Sequence, residues 1–175
     1  MNKQQKELCE AYATTHRLMV EQGHSSDPRK WREVVASLQT GQQPNNEKSG
    51  PDCFETEATG ETVDCERKST VGALKGAYTG ISWKPTWESQ LDYILTKKIK
   101  NCKYHYFDHF DKKTGELVES WRMEADTLLE LRLPKLKKQW EDRMVKFKSG
   151  NPPADPRLSF TLGTGIIKKY GKRIK

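Results

Sequence analysis

No apolar run in the sequence approaches the ~20 residues that a bilayer-spanning helix needs, so no segment reads as a membrane anchor. The opening stretch MNKQQKELCEAYATTHRLMV also lacks the continuous apolar block of a secretory leader, which predicts a cytoplasmic, reduced setting. Cys9, Cys53, Cys65 and Cys102 show no C-x-x-C spacing, which argues against zinc and for free thiols. A disulfide between Cys53 and Cys65, facing one another across a hairpin, is the geometric alternative. Hydrophobic residues are scarce at 34%, and even with glycine added they stay under the roughly 45–50% of a typical globular domain. A thin core and a broad polar surface are therefore expected. No internal repeat and no domain boundary is visible, so residues 1–175 read as one domain, with N-terminal helices over 1–44 and a core over 45–175.

Charge is what the chain has in excess. Thirty-one Lys and Arg against 24 Asp and Glu give +7 and a pI near 9.2, a balance that attracts polyanions through phosphate contacts and counterion release. Apolar spacing predicts a first helix over residues 3–22 (Leu8, Ala11, Leu18, Met19). A second helix is capped by Asp27, opened by Pro28 and striped by Trp31, Val34, Val35 and Leu38. TGQQPNNEKSGP reads as a surface loop. Strands are expected over 53–58 and 62–70, joined by the turn TGE. LKGAYTGISWKPTW reads as a Gly-rich connection and ESQLDYILTKKIK as a helix. CKYHYFDHFD and ELVESWRMEA read as a second hairpin of surface strands. Pro134 is expected to open a last long helix striped by Leu133, Leu136, Trp140, Met144 and Phe147, before a tail of one or two basic strands.

The stretch GPDCFETEATGETVDCERKST carries the chemistry. Side chains alternate across a strand, so Asp64, Glu66 and Lys68 share one face while Val63, Cys65 and Arg67 share the other. Asp52, just before the neighbouring strand, can bring a further carboxylate toward Glu66. Mg²⁺ takes hard oxygen ligands through one or two carboxylates and substrate phosphate, and an ammonium beside it eases attack by water on phosphorus. The competing reading is an exposed hairpin decorated with charge. His105 and His109, four apart, could pair on a metal, but no third ligand accompanies them and a surface strand is the simpler reading. Glu47 could be an accessory ligand on a loop. Lys97 and Lys98 read as a solvated face or, in a DNA-binding protein, as phosphate contacts.

Pro51, Asp52, Glu66 and Lys68, spaced PD-x13-ExK, resemble the signature of the PD-(D/E)XK nucleases. The succession of elements over most of residues 45–172 is similar to that of the small PvuII-like type II restriction endonucleases. LRLPKLKKQWEDRMVKF resembles that family's Pro-started helix, and ADPRLSFTLGTGIIKKY its terminal strands. The resemblance implies a restriction-endonuclease-like α/β fold with a central mixed sheet of about five strands flanked by helices. It also implies a Mg²⁺-dependent homodimer that cuts both strands of duplex DNA at a short site, dimerising through the N-terminal helices. Asp52, Glu66 and Lys68 would then be catalytic and Asp52 and Glu66 the metal ligands, with Asp64 an alternative ligand given the wide Asp-to-Glu spacing. Base reading would fall to Ser82, Trp83, Lys84 and Thr86, where the family carries histidines, and to Asp155, which with Ala154 stands where the family carries paired asparagines, with Arg157 as a further DNA contact. An Asp accepts from cytosine N4 whereas an Asn pairs best with adenine, which points to a G·C-rich target. A repair or nicking nuclease of the same fold, and a non-enzymatic nucleic-acid-binding module, are the rival expectations.

Overall fold

Strands bearing charge on one face and apolar groups on the other build the protein around two sheets. The computed structural model describes residues 2–24, 26–47 and 49–175. Its elements are α1 (Lys3–Glu21), α2 (Pro28–Gln39), β1 (Gln43–Pro44), β2 (Cys53–Thr56), β3 (Thr62–Val71), β4 (Lys75–Ile81), α3 (Trp87–Ile94), a π-helical turn (Leu95–Ile99), β5 (Tyr104–Phe110), β6 (Leu117–Glu124), α4 (Ala125–Lys148), β7 (Leu158–Gly163), α5 (Thr164–Tyr170) and β8 (Lys172–Arg173). Six strands form a mixed sheet in the order β1-β2-β3-β5-β6-β8, and β4 pairs with β7 in a second, two-stranded sheet. The main sheet is antiparallel except where β5 lies parallel to β3, a pairing that demands a long crossover, here residues 72–103.

The centre of the sheet is β5, buried on both faces. On one side, Phe107 and Met123 join Ile94, Ile99, Leu128, Leu136, Leu158, Leu162 and Ile167 in the main core, covered by α3, α4 and the β4–β7 pair. On the other, Cys53, Val63, Cys65, Tyr104 and Tyr106 make a second cluster. The surface-strand expectation for His105 and His109 is therefore corrected: His105 is fully buried. Its polarity misleads because its partners come from elsewhere in the chain.

Burial on the second face includes an ion pair. Arg67 on β3 is fully enclosed and donates through Nε to Asp108 Oδ2 at 3.2 Å, with both side chains closed off from water. The guanidinium also reaches Thr40 Oγ1 at 2.9 Å on the segment after α2 and lies over the Tyr106 ring at 4.5 Å. Asp108 accepts further from Ser69 at 3.0 Å and Ser120 at 2.6 Å. The polar atoms of the cluster find partners, yet burial outweighs Arg67, Ser120 and Ser69 and raises the Asp108 carboxyl.

Three further expectations are corrected. The Gly-rich connection forms β4, because Gly76 lies flat on Phe107, where a Cβ would come within 2.3 Å of the ring, and Gly80 takes φ +72° at the irregularity between Tyr78 and Ile81. The last long helix starts at Ala125 rather than at Pro134, which sits inside it. Leu128 and Leu136 anchor it on either side of the proline, outweighing the one lost backbone bond. The tail adds α5 between its two strands. Cys53, Cys65 and Cys102 are buried thiols outside any disulfide, Cys53 facing Cys65 across β2 and β3. Helix α1 buries no residue and meets α2 through Tyr12 and His16 against Trp31, at 5.7 and 6.2 Å between ring centroids.

Removing Asp108 would leave a charged guanidinium buried and unmatched. Asp108→Ala is expected to lose about 3–5 kcal/mol of unfolding free energy in urea titrations, whereas Asp155→Ala, in an exposed pair, leaves the midpoint unchanged.

Candidate active site

The register of the β2–β3 hairpin assembles the candidate residues. Cys53 pairs with Cys65 and Phe54 with Asp64, so one step further back Asp52 stands opposite Glu66. Two bonds hold it there: the Asp52 amide donates to Cys65 O at 2.9 Å, and its Oδ2 accepts the Arg67 amide at 2.8 Å. The carboxylate thus straddles Glu66 and is only 7% exposed. Because Val63, Cys65 and Arg67 are drawn into the interior, Glu66 and Lys68 turn to the opposite face, where they form an ion pair.

A cavity of about 300 Å³ opens over this face, lined by Glu66, Lys68, Tyr78, Thr79, Lys97, Lys98, Asn101 and Gly50. Lys97 and Lys98 enter it from the π-helical turn, a feature often found at functional sites. The Lys68 ammonium lies 5.2 Å from the Tyr78 ring centroid. Tyr78 in turn is tied to the sheet. His105 Nε2 faces the Ile99 carbonyl at 2.7 Å, an acceptor only, so this nitrogen carries the hydrogen and Nδ1 accepts from the Tyr78 hydroxyl at 2.8 Å. One buried imidazole therefore fixes both the tyrosine beneath Lys68 and the end of the lysine-bearing turn. Burial holds His105 down to about 4.

The fields of the acids overlap. Burial, then Glu66, Asp64 and Asp52, push the Cys102 thiol up to about 12. Burial, then Glu66, with a smaller contribution from Asp52, raises the Tyr78 hydroxyl. Asp64 is exposed and borders a separate cavity with Pro51, Thr96 and Lys97.

Two residues of the site lay outside the sequence reading. Lys30, in the first turn of α2, donates to Asp52 Oδ1 at 2.8 Å and lies 3.0 Å from Glu33 Oε2. Burial alone would lower the Lys30 ammonium's pKa, yet Asp52 and Glu33 outweigh it and raise it. Burial and then the Asp52 charge raise Glu33. With Asn45, Glu47 and Gly50 these side chains line a small pocket on the other side of Asp52. Their i, i+3 spacing on one helix face was the available signal.

The expected base-reading residues are largely engaged within the protein. Trp83 stacks on Phe147 of α4 at 4.2 Å, Thr86 caps α3, and the Ser82 carbonyl accepts from Gln90 Nε2 at 3.2 Å. Lys84 accepts Trp140 Nε1 at its carbonyl, 2.8 Å, and sets its ammonium 4.8 Å from the Tyr93 ring centroid. Asp155 and Arg157 are exposed and grip each other through two pairs of atoms, the guanidinium holding the carboxyl down to about 2. His109 lies 3.6 Å from Glu119 rather than beside a second ligand.

Among the described residues, no group of three or more His, Cys, Asp and Glu side chains is arranged to hold a metal ion. What the site offers is two hard-oxygen donors, Asp52 and Glu66, each matched by a lysine and lining neighbouring cavities that share Gly50. Such a pair fits Mg²⁺, which binds through one or two carboxylates and keeps its waters. No protein-family model matches the chain, and no curated protein matches it significantly.

Folded His105 binds its proton only near pH 4, whereas the unfolded chain binds it near 6.5. This contribution to stability is complete above pH 6.5 and lost as pH falls toward 4, on the order of 3 kcal/mol. The pH dependence of the urea midpoint is expected to be shallower in His105→Gln over that window.

Proposed function

We propose that the protein is a Mg²⁺-dependent nuclease of the PD-(D/E)XK type that hydrolyses phosphodiester bonds in double-stranded DNA, built on a restriction-endonuclease-like version of the mixed α/β sheet. The observation that carries the reading is the placement of Asp52 across from Glu66, with Lys68 on the same face and Lys97 and Lys98 bordering the same cavity. Asp52 and Glu66 would hold the metal, which supplies Lewis acidity and a more acidic bound water. Lys68 stabilises the charge that develops on the phosphoryl oxygens as water adds to phosphorus and the sugar oxygen leaves. Lys97 and Lys98 hold the neighbouring phosphates, adding affinity without sequence information. Glu66 orients Lys68 toward the cavity through their ion pair.

Restriction at a short palindrome, each protomer of a homodimer cutting one strand, is the form that the resemblance to the PvuII-like succession of elements favours. Leu8, Tyr12, Leu18 and Val20 stand exposed on α1, an apolar surface suited to a second copy. The second reading is a repair or nicking nuclease that recognises DNA structure. It is favoured by the stacking of Trp83 on Phe147 and the capping bond of Thr86 to Ser89, which leave few side chains in that segment free to read bases.

Plasmid DNA incubated with the protein is expected to be cut in Mg²⁺ and left intact in EDTA. Discrete fragments indicate restriction, and nicking without a fixed pattern indicates the second reading. Lys68→Ala and Glu66→Ala are expected to retain DNA binding in gel-shift assays and to cut at least ~10²-fold more slowly. Retention of DNA with no strand breaks under any divalent cation would leave a binding module instead. In sedimentation velocity the wild type is expected to be dimeric and the Leu8→Glu, Val20→Glu double variant monomeric.

A further inference from the structure

We propose that Lys30 is a resident counter-cation of Asp52 which a divalent ion must displace, so that α2 sets how tightly the metal is held. The inference rests on the nuclease reading and adds a residue that the PD-x13-ExK spacing does not contain. The Lys30 ammonium bridges Asp52 Oδ1 at 2.8 Å and Glu33 Oε2 at 3.0 Å. It therefore contacts the very oxygen of Asp52 that remains open, the other being bonded to the Arg67 amide.

The environment of each partner determines which one moves. Asp52 is 7% exposed and fixed at both its amide and its Oδ2. The Lys30 side chain is 45% exposed and ends a flexible four-carbon stem, so it can swing into water while the carboxylate stays. An ammonium and a divalent cation repel at the separation that one carboxylate imposes, and the repulsion is weakly screened beside a buried group. Binding of the ion is thus coupled to release of Lys30. Without the ion, the same ammonium neutralises a carboxylate that would otherwise be desolvated and unmatched. Lys68 pairs with Glu66 rather than with Asp52.

Calorimetric titration with Mg²⁺ or Ca²⁺ alone, in the absence of DNA, tests the exchange directly. Lys30→Met, which keeps the length of the stem, is expected to bind the ion roughly fivefold or more tightly than wild type. It is also expected to melt at a lower temperature in EDTA, with the gap closing at saturating metal. Lys30→Gln, which retains a donor without the charge, should move in the same direction. Affinity unchanged or weakened in both variants, while wild type binds and Asp52→Asn does not, would overturn the exchange and leave the nuclease reading standing. A wild type that binds neither ion and cuts no DNA would overturn both.

Discussion

A guanidinium sealed away from water, matched to one carboxylate, decides which way the charged hairpin faces. Strand side chains alternate, so drawing Arg67 inward to Asp108 commits its neighbours Glu66 and Lys68 to the opposite surface. A slip of one residue would bury that acid and that lysine together and expose the arginine. The ion pair also ties α2, β3, β5 and β6 through Thr40, Ser69 and Ser120. Buried pairs of this kind contribute little net stability compared with apolar packing, but they are unforgiving of wrong partners. In this fold the pair selects a register more than it strengthens one.

Around that fixed strand, acids and ammonium groups alternate. Lys30 meets Asp52, Lys68 meets Glu66, and Lys97 and Lys98 stand across the cavity. The chain as a whole carries an excess of positive charge, while the acids concentrate a local negative field where Tyr78 and Cys102 lie. A phosphate approaching the lysines would meet the carboxylates only at close range, where a divalent cation can mediate between them.

Much of this was legible in the sequence wherever the deciding contacts are local. The β2–β3 hairpin follows from a turn and a period of two, and the stripe on the later half of α4 from spacings of three and four. Legibility failed where the partner is distant. β5 carries His105 and Asp108, polar residues that suggest a surface strand until Tyr78, Ile99, Arg67 and Ser120 are found to answer them. β4 was obscured by Gly76 and Gly80, glycines that a strand needs only because Phe107 presses on one and the chain bends at the other. Pro134 looked like a helix start because proline favours the first turn, and only the packing of Leu128 upstream reveals that the helix had already begun. Within the site, Asp52, Glu66 and Lys68 could be found from spacing. Lys30 and Glu33 share one helix face by their i, i+3 spacing, but their relation to Asp52 exists only once α2 packs beside the hairpin.

The carboxylate of Asp52 leans on the peptide N–H of residue 67, not on its side chain. Main-chain donors are common to nineteen of the twenty amino acids, so this bond, once the register is set, asks nothing of the side chain at the position except that it not be proline. Selection on residue 67 would then act through the integrity of the interior, while the orientation of the acid is inherited from the course of the backbone.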